Sequence, residues 1–337
     1  MIARATRGLD LGVELSNVCN LHCNHCIRGP HQSQLDHLDL ALLERIVAEA
    51  SSMFSPLRVV FTGGEPLAAA SFPDAVRILR ARGLPWHMVT NGWLVPKHID
   101  TILGHRPAFA RVSLSGATPE THDRERGPRS YRRALLGASV LLAHGIRTEM
   151  SMVVTRESRN ELEAAAKLAN QFGVAAFHFI LPQPTPDSAL LGTDLSPAEW
   201  KTVSLEILAL SKRSSVPLRL DYGAYQPEPR ERCATMSMRQ IYVDAQGRVP
   251  FCCQLSRYGT GDEPIIGNLT TESFATVVAR LEERYADFAA ESDVLVQIGK
   301  VDAMDDYPCL SCARKHGRTS FLAAFPEHPW AQLARSA

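Results

Sequence analysis

Three cysteines near the N-terminus, Cys19, Cys23 and Cys26, stand at CxxxCxxC spacing in the run Val18-Cys19-Asn20-Leu21-His22-Cys23-Asn24-His25-Cys26. Three thiolates can hold three irons of a [4Fe–4S] cluster. The fourth iron is then open to an external ligand, much as a catalytic zinc keeps one position free. The alternative metal is zinc, with His22 or His25 as fourth ligand, although the spacing is unusual for structural zinc pairs. Three merely buried cysteines are the remaining reading.

Five further cysteines, Cys233, Cys252, Cys253, Cys309 and Cys312, lie in the last third of the chain, and none lies between the two sets. In a reducing compartment such clusters serve metal binding or catalysis more often than disulfides.

The first set must be positioned by the elements around it. From residue 12 to about 180, short apolar runs rich in β-branched residues alternate with helix-like stretches. Strands are expected at 12–15, 57–61, 86–90, 111–114, 148–154 and 175–180, and helices at 40–53, 73–82, 96–103, 131–144 and 160–172. Near-continuous apolar strands separated by helices indicate a parallel sheet of β/α units. Gly83, Gly145 and Gly173 are placed to close helices before the next strand. The expected fold class is α/β: a partial (β/α)6 TIM-type barrel with its active site at the C-terminal strand ends, followed by a smaller domain.

After Leu181 the pattern changes. Pro182-Gln183-Pro184-Thr185-Pro186 is a turn-rich break, and residues 196–212 read as a helix capped by Ser196 with Pro197 at N1. Strands at 240–243 and 248–251 flank Asp244-Ala245-Gln246-Gly247, a hairpin signal. Residues 270–289 read as another helix. The expected divisions are a barrel over 10–185, a linker and helix over 186–230, a cysteine-bearing domain over 231–320 and a tail over 321–337.

With 337 residues, 45% hydrophobic, the chain is long enough for one large domain and a smaller one. The 36 basic and 36 acidic residues balance, so charge gives no sign of nucleic acid or a membrane surface as partner. Neither a signal-peptide h-region nor an apolar run of bilayer length is found. A cytoplasmic protein is expected.

Here the chain resembles the radical SAM superfamily. Further features arrive in that family's order: Thr62-Gly63-Gly64-Glu65-Pro66 after the second strand, Thr90-Asn91-Gly92 after the third, Ser113-Leu114-Ser115-Gly116 at the end of the fourth, then His122-Asp123-Arg124-Glu125-Arg126-Gly127, and Ser151 in the fifth. The resemblance covers about residues 10–185. It implies that S-adenosylmethionine (SAM) chelates the open iron of a cluster held by Cys19, Cys23 and Cys26. Gly63, Gly64, Glu65 and Pro66 would receive its amino group, and Asn91 belongs to the same site. Ser113 would contact its carboxylate or ribose, with Ser151 and Arg126 nearby, and His25 would pack near the adenine. Many relatives carry Asp at the position of Ser115, which puts any role for that residue in doubt.

The C-terminal part is similar to the extension called SPASM, or its shorter twitch form, through Gly247-x-Val249-x-x-Cys252 and Gly267-Asn268-Leu269. That similarity implies one auxiliary [4Fe–4S] cluster on Cys233, Cys252, Cys309 and Cys312, fully ligated and so suited to electron transfer. A four-cysteine zinc site is the alternative. Cys253 is then either a small buried neighbour of a ligand or a catalytic thiol that gives a hydrogen atom to a substrate radical. A third reading exchanges the ligand roles of Cys252 and Cys253, although the spacing from Gly247 favours Cys252.

By resemblance, a reduced flavodoxin or ferredoxin supplies an electron, SAM breaks to methionine and a 5′-deoxyadenosyl radical, and that radical removes hydrogen from a substrate carbon. Oxidation, epimerisation and peptide crosslinking are the possible outcomes. Peptide-modifying members of the family often begin with a leader-binding domain, and a first strand expected by residue 12 leaves no room for one before it. That favours a small molecule such as a sugar or aminocyclitol over a ribosomal peptide, and an electron carrier or zinc-stabilised binding protein is the non-catalytic alternative. Trp86, Trp93, Trp200 and Trp330 read as packing residues, Glu14 and Asn17 as supports of the cluster loop, and His178 as a core histidine. Tyr222, Tyr225 and Tyr258 are candidates to line a pocket.

Overall fold

The computed structural model describes residues 8–27, 36–225, 233–255, 264–299 and 302–334. Its strands are β1 (Leu9–Glu14), β2 (Leu57–Thr62), β3 (Trp86–Thr90), β4 (Phe109–Leu114), β5 (Thr148–Val153), β6 (Phe177–Ile180), β7 (Leu218–Leu220), β8 (Gln240–Val243), β9 (Arg248–Pro250) and β10 (Ile265–Asn268). The helices are α1 (Leu40–Met53), α2 (Phe72–Ala81), α3 (Val95–Gly104), α4 (Pro119–Arg126), α5 (Ser130–Ala143), α6 (Leu162–Phe172), α7 (Pro186–Leu191), α8 (Pro197–Ser211), α9 (Phe274–Gln297), α10 (Pro308–Lys315) and α11 (Ala331–Ala334).

The main sheet has the order β7-β6-β5-β4-β3-β2-β1-β8 and is parallel throughout. The six expected β/α units are present, and β7 and β8 extend the sheet at its two edges. Alternation along each strand sorts the side chains. Leu9, Leu11 and Val13 of β1 and Val59 and Phe61 of β2 are buried beneath the helices. Asp10 and Gly12, Arg58 and Val60, and Arg111 of β4 turn inward to line a lumen.

The helix layer follows from spacing. In α1, Leu43, Ile46, Val47 and Ala50 form one buried stripe, and the Asp39 side chain caps the start by accepting the N–H of Leu42. Each such Leu or Ile contributes roughly 1.5–3 kcal/mol by leaving water. Phe61, Phe72 and Trp86 meet with ring centroids 5.6–6.1 Å apart and lock α2 onto β2 and β3. Trp86, Trp200 and Trp330 are core residues, and Trp93 carries the Arg133 guanidinium over its ring. Gly83, Gly145 and Gly173 have left-handed φ values of 63°, 67° and 62° and end their helices as expected.

Two expectations are corrected. The turn at Asp244 to Gly247 forms, with Asp244 Oδ1 accepting the N–H groups of Gln246 and Arg248, but its flanks are not the two strands of one hairpin ladder. β8 joins β1 in the main sheet, and β9 pairs antiparallel with β10. Ile241, Tyr242 and Val243 are all buried, as a parallel strand covered on both faces requires. The last long helix starts at Phe274 rather than residue 270, because Asn268 Oδ1 holds Thr270 in a turn, and it runs on past residue 289 to Gln297.

No described helix is long and apolar enough to cross a membrane.

Candidate active site

The cysteine loop leaves the C-terminal end of β1 and is fastened to the end of β2. Gly64 N–H donates to the Ser16 carbonyl (3.1 Å) and Glu65 N–H to the Val18 carbonyl (2.8 Å). A Cβ on Gly64 would stand 2.1 Å from the Val18 oxygen and 2.6 Å from the Asn17 oxygen. Only glycine permits this approach. On the far side of the loop, the Asn24 N–H donates to the Glu125 carbonyl.

Burial pushes the Cys19 thiol up to about 11, with Glu65, Cys23 and Cys26 adding to the rise and the Leu21 N–H opposing it. Burial also raises Cys23, with Cys26 and Glu125 acting in the same sense and Arg126 against it. Grouped thiols held in their neutral form become thiolates when a cation binds them. The donor set fits an iron–sulfur cluster. Among the described residues, no three His, Cys, Asp or Glu side chains converge on a single ion.

Glu65 is 1% exposed, and its carboxylate accepts hydrogen bonds from Thr90 Oγ1 (2.7 Å), Asn91 N–H (2.7 Å) and Leu67 N–H (3.2 Å). It therefore ties β2 to β3 and caps the short 3-10 turn begun by Pro66. Asn91 Nδ2 reaches Asn20 Oδ1 (2.9 Å) and lies 4.0 Å from Cys19 Sγ. His25 Nδ1 lies 3.2 Å from Glu125 Oε2, and burial lowers the His25 pKa. Arg126 Nε donates to Ser115 Oγ at 2.6 Å, and that hydroxyl is 3.4 Å from His25 Nε2.

Ser113 and Ser151 are cross-strand partners in β4 and β5. They share the lumen-facing side with Arg111 and Glu149, one step nearer the C-terminal strand ends. The sequence reading missed Glu125. It lies in a quoted motif, yet only the packing of α4 under the cysteine loop brings it to His25.

The second cysteine set gathers around a shared cavity. Cys233, Cys252, Cys253, Cys309 and Cys312 all line one cavity of about 370 Å³. Asp221 and Tyr222, just after β7, and Gln240, which opens β8, line it too, so it occupies the gap between the two edges of the open sheet. Cys309 and Cys312 share one face of α10 at i, i+3. Gly223 packs so closely that a Cβ there would meet Cys309 Sγ at 3.0 Å. Burial raises Cys252 and Cys309 well above the ordinary thiol range and Cys312 to about 12, and neighbouring thiols add to each rise. These thiols too fit a cationic cluster.

A second cavity, of about 890 Å³, is the lumen itself. It reaches from Ile27, next to Cys26, and Thr62, next to Gly63, across to Cys253 and Gln254. Cys253 and Tyr222 border both cavities, whereas Cys252 borders only the smaller one. Tyr225 packs against Tyr307 beneath Lys201, and Tyr258 lies outside the described residues. Glu14 accepts a hydrogen bond from Tyr242 (2.7 Å), and Asn17 bonds to Asp36. His178 pairs with Glu149 at 3.0 Å.

The family model described as "Radical SAM superfamily" matches residues 13–169. An AdoMet-dependent heme synthase of Methanosarcina barkeri is 28% identical over 225 residues, covering 65% of this chain and 63% of that protein. The mycofactocin maturase MftC of Mycobacterium tuberculosis is 28% identical over 222 residues, 64% of this chain and 56% of that protein. The chain thus spans between half and two thirds of the length of these relatives. Among solved structures, Streptococcus suis SuiB bound to S-adenosylmethionine aligns with a TM-score of 0.67 at 14% identity, over 80% of this chain and 65% of that one. Native anSMEcpe with bound AdoMet and Cp18Cys peptide aligns with a TM-score of 0.66 at 16% identity, over 82% of each chain. At such identities the likeness shows the fold.

Proposed function

We propose that this chain, whose residues 13–169 match the radical SAM superfamily, removes a hydrogen atom from a carbon of a peptide or cofactor precursor held in the barrel lumen. One observation carries this reading: a single cavity runs from Ile27 and Thr62, the chain neighbours of Cys26 and Gly63, to Cys253 of the second cysteine group. The names of the relatives, in heme synthesis and mycofactocin maturation, support a peptide or cofactor precursor. They lend nothing to the sugar or aminocyclitol substrate expected from the sequence, and that expectation is replaced.

In this reading Cys19, Cys23 and Cys26 hold a [4Fe–4S] cluster. When bound, the cluster and SAM together supply the 5′-deoxyadenosyl radical, with the electron coming from a flavodoxin or ferredoxin. Gly63 and Gly64 hold the backbone close to the cysteine loop, and Glu65 keeps that turn joined to Asn91. Ser113, Ser151 and the Ser115-bound Arg126 offer donors to the polar groups of SAM, while His25 is braced by Glu125 beside them. Cys233, Cys252, Cys309 and Cys312 hold an auxiliary cluster. Cys253 is the thiol of this group that faces substrate.

The test is anaerobic reconstitution with iron and sulfide, followed by SAM and dithionite. 5′-Deoxyadenosine is expected to form, to rise with a cognate precursor peptide or cofactor precursor, and to vanish in Cys19→Ala, Cys23→Ala and Cys26→Ala. Undiminished product in the triple variant overturns the assignment.

A further inference from the structure

The lumen is lined by arginines at the end remote from the cysteine loop. Arg58 and Arg111 stand near the starts of β2 and β4, Arg147 just before β5, Arg219 in β7 and Arg239 just before β8. Two carboxylates, Asp10 and Glu149, share that lining, and both are already paired. Asp10 takes two hydrogen bonds from its cross-strand partner Arg58, at 2.8 and 2.7 Å. Glu149 takes two from its cross-strand partner Arg111, at 3.2 and 2.8 Å. Arg147 keeps only a loose approach of 3.9 Å to Glu149. Arg219 and Arg239 have no acidic partner among the described residues, Arg239 Nε donating to Ser237 Oγ at 3.2 Å, and the described lining holds five arginines against two carboxylates.

A second observation points the same way. His87 lies among these arginines and is 6% exposed, and its Nδ1 has no hydrogen-bond partner among the described residues. Its ring is stacked on Phe109 at 4.0 Å, and the Arg58 and Arg111 guanidiniums each sit 5.8 Å from the same Phe109 ring. Burial, with these arginines adding to it, lowers the His87 pKa to about 3, so the ring is neutral. A buried, unsatisfied ring nitrogen in the same lining as guanidiniums that have no carboxylate of their own, Arg219 and Arg239, suits a polar, negatively charged ligand.

We infer that the substrate carries a multiply charged anionic end, carboxylate or phosphate, which Arg219, Arg239 and Arg147 hold at the base of the lumen while the carbon to be attacked faces the cysteine loop. This inference rests on the lumen being the substrate cavity and names the class of molecule it takes. Guanidinium pairs fix such a group in position as well as attract it. The end bound at the base then sets which carbon reaches the top.

The test is calorimetric binding to reconstituted, SAM-loaded protein without reductant, so that it reads the lumen independently of radical formation. The probes are propane-1,2,3-tricarboxylate, its neutral triamide, and inorganic pyrophosphate. At least one anion is expected to bind while the triamide does not, and the tighter anion identifies the acidic group. The double variant Arg219→Gln/Arg239→Gln should weaken that binding roughly tenfold or more, and Arg219→Lys/Arg239→Lys should recover part of it. Iron content and circular dichroism establish that each variant is folded. Equal affinity for anion and triamide, or an unchanged affinity in the Gln variant, overturns the inference. Anion binding without 5′-deoxyadenosine formation would instead remove the proposed reaction and leave the anion site standing.

Discussion

Arg126 and Ser115 are joined by a 2.6 Å hydrogen bond, with both residues buried and the guanidinium also reaching the Leu114 carbonyl at 3.2 Å. The pair sits where β4 ends and α4 returns beneath the cysteine loop. The Ser115 hydroxyl thus fixes the direction of the Arg126 guanidinium, the arginine proposed to face SAM. Ser115→Ala frees the guanidinium and should raise the KM for SAM about tenfold, the scale of a hydrogen bond to a charged group. Ser115→Asp should restore it. The measurement is initial-rate 5′-deoxyadenosine formation against SAM concentration, and an unchanged KM in the Ala variant would deny the pair a role in SAM binding.

Gly64→Ala tests the contact between the β2 turn and the cysteine loop. Its Cβ has no room against Val18 and Asn17, so the loop must move. Iron bound by the first cysteine set should fall to a small fraction of wild type, while the signal from the second set persists. Electron paramagnetic resonance of the reduced protein reads the two separately.

Cys252→Ala and Cys253→Ala separate ligand from lumen thiol. The first should lose about four irons per chain, a whole cluster; the second should keep them. If Cys253 returns hydrogen to the product, Cys253→Ala also abolishes solvent deuterium at the modified carbon. Iron loss in Cys253→Ala with retention in Cys252→Ala would reverse the two roles.

Glu149 gives the lumen an acid-sensitive support. Burial works to raise its pKa, but hydrogen bonds from His178 and Arg111 prevail and hold it at about 2, below the ordinary 4.5. A carboxylate depressed in the folded state stabilises above its unfolded pKa and loses that contribution as pH falls through the folded value. The melting-temperature gap between wild type and Glu149→Gln should therefore be full above pH 4.5 and shrink toward pH 2. A gap that is constant with pH would show that Glu149 acts by packing alone.

Much of the first domain was legible because its determinants are local. Residues 40–53 satisfy a helical stripe and carry a capping Asp39, and α1 occupies that span. Residues 86–90 form β3 as expected. Strand starts were misplaced by two or three residues at β1, β4 and β6, where the first residues paired are set by the neighbouring strand. The short strand β7 and helix α4 escaped notice. Three residues carry little periodicity, and α4 is a polar helix with little apolar stripe to read.

The cysteine spacing, the Gly63-Gly64 turn and the alternation of apolar runs determined by themselves the parallel α/β fold and the position of the cluster loop, since each depends on residues adjacent in the chain. Only the tertiary structure decided that β8 leaves its turn to pair with β1, that five distant cysteines meet in the gap between the sheet edges, and that arginines 58, 111, 147, 219 and 239 share one lumen. Strand partners and cavity linings are chosen by hydrogen-bond ladders and packing between segments far apart in sequence, and no spacing along the chain encodes which of those segments meet.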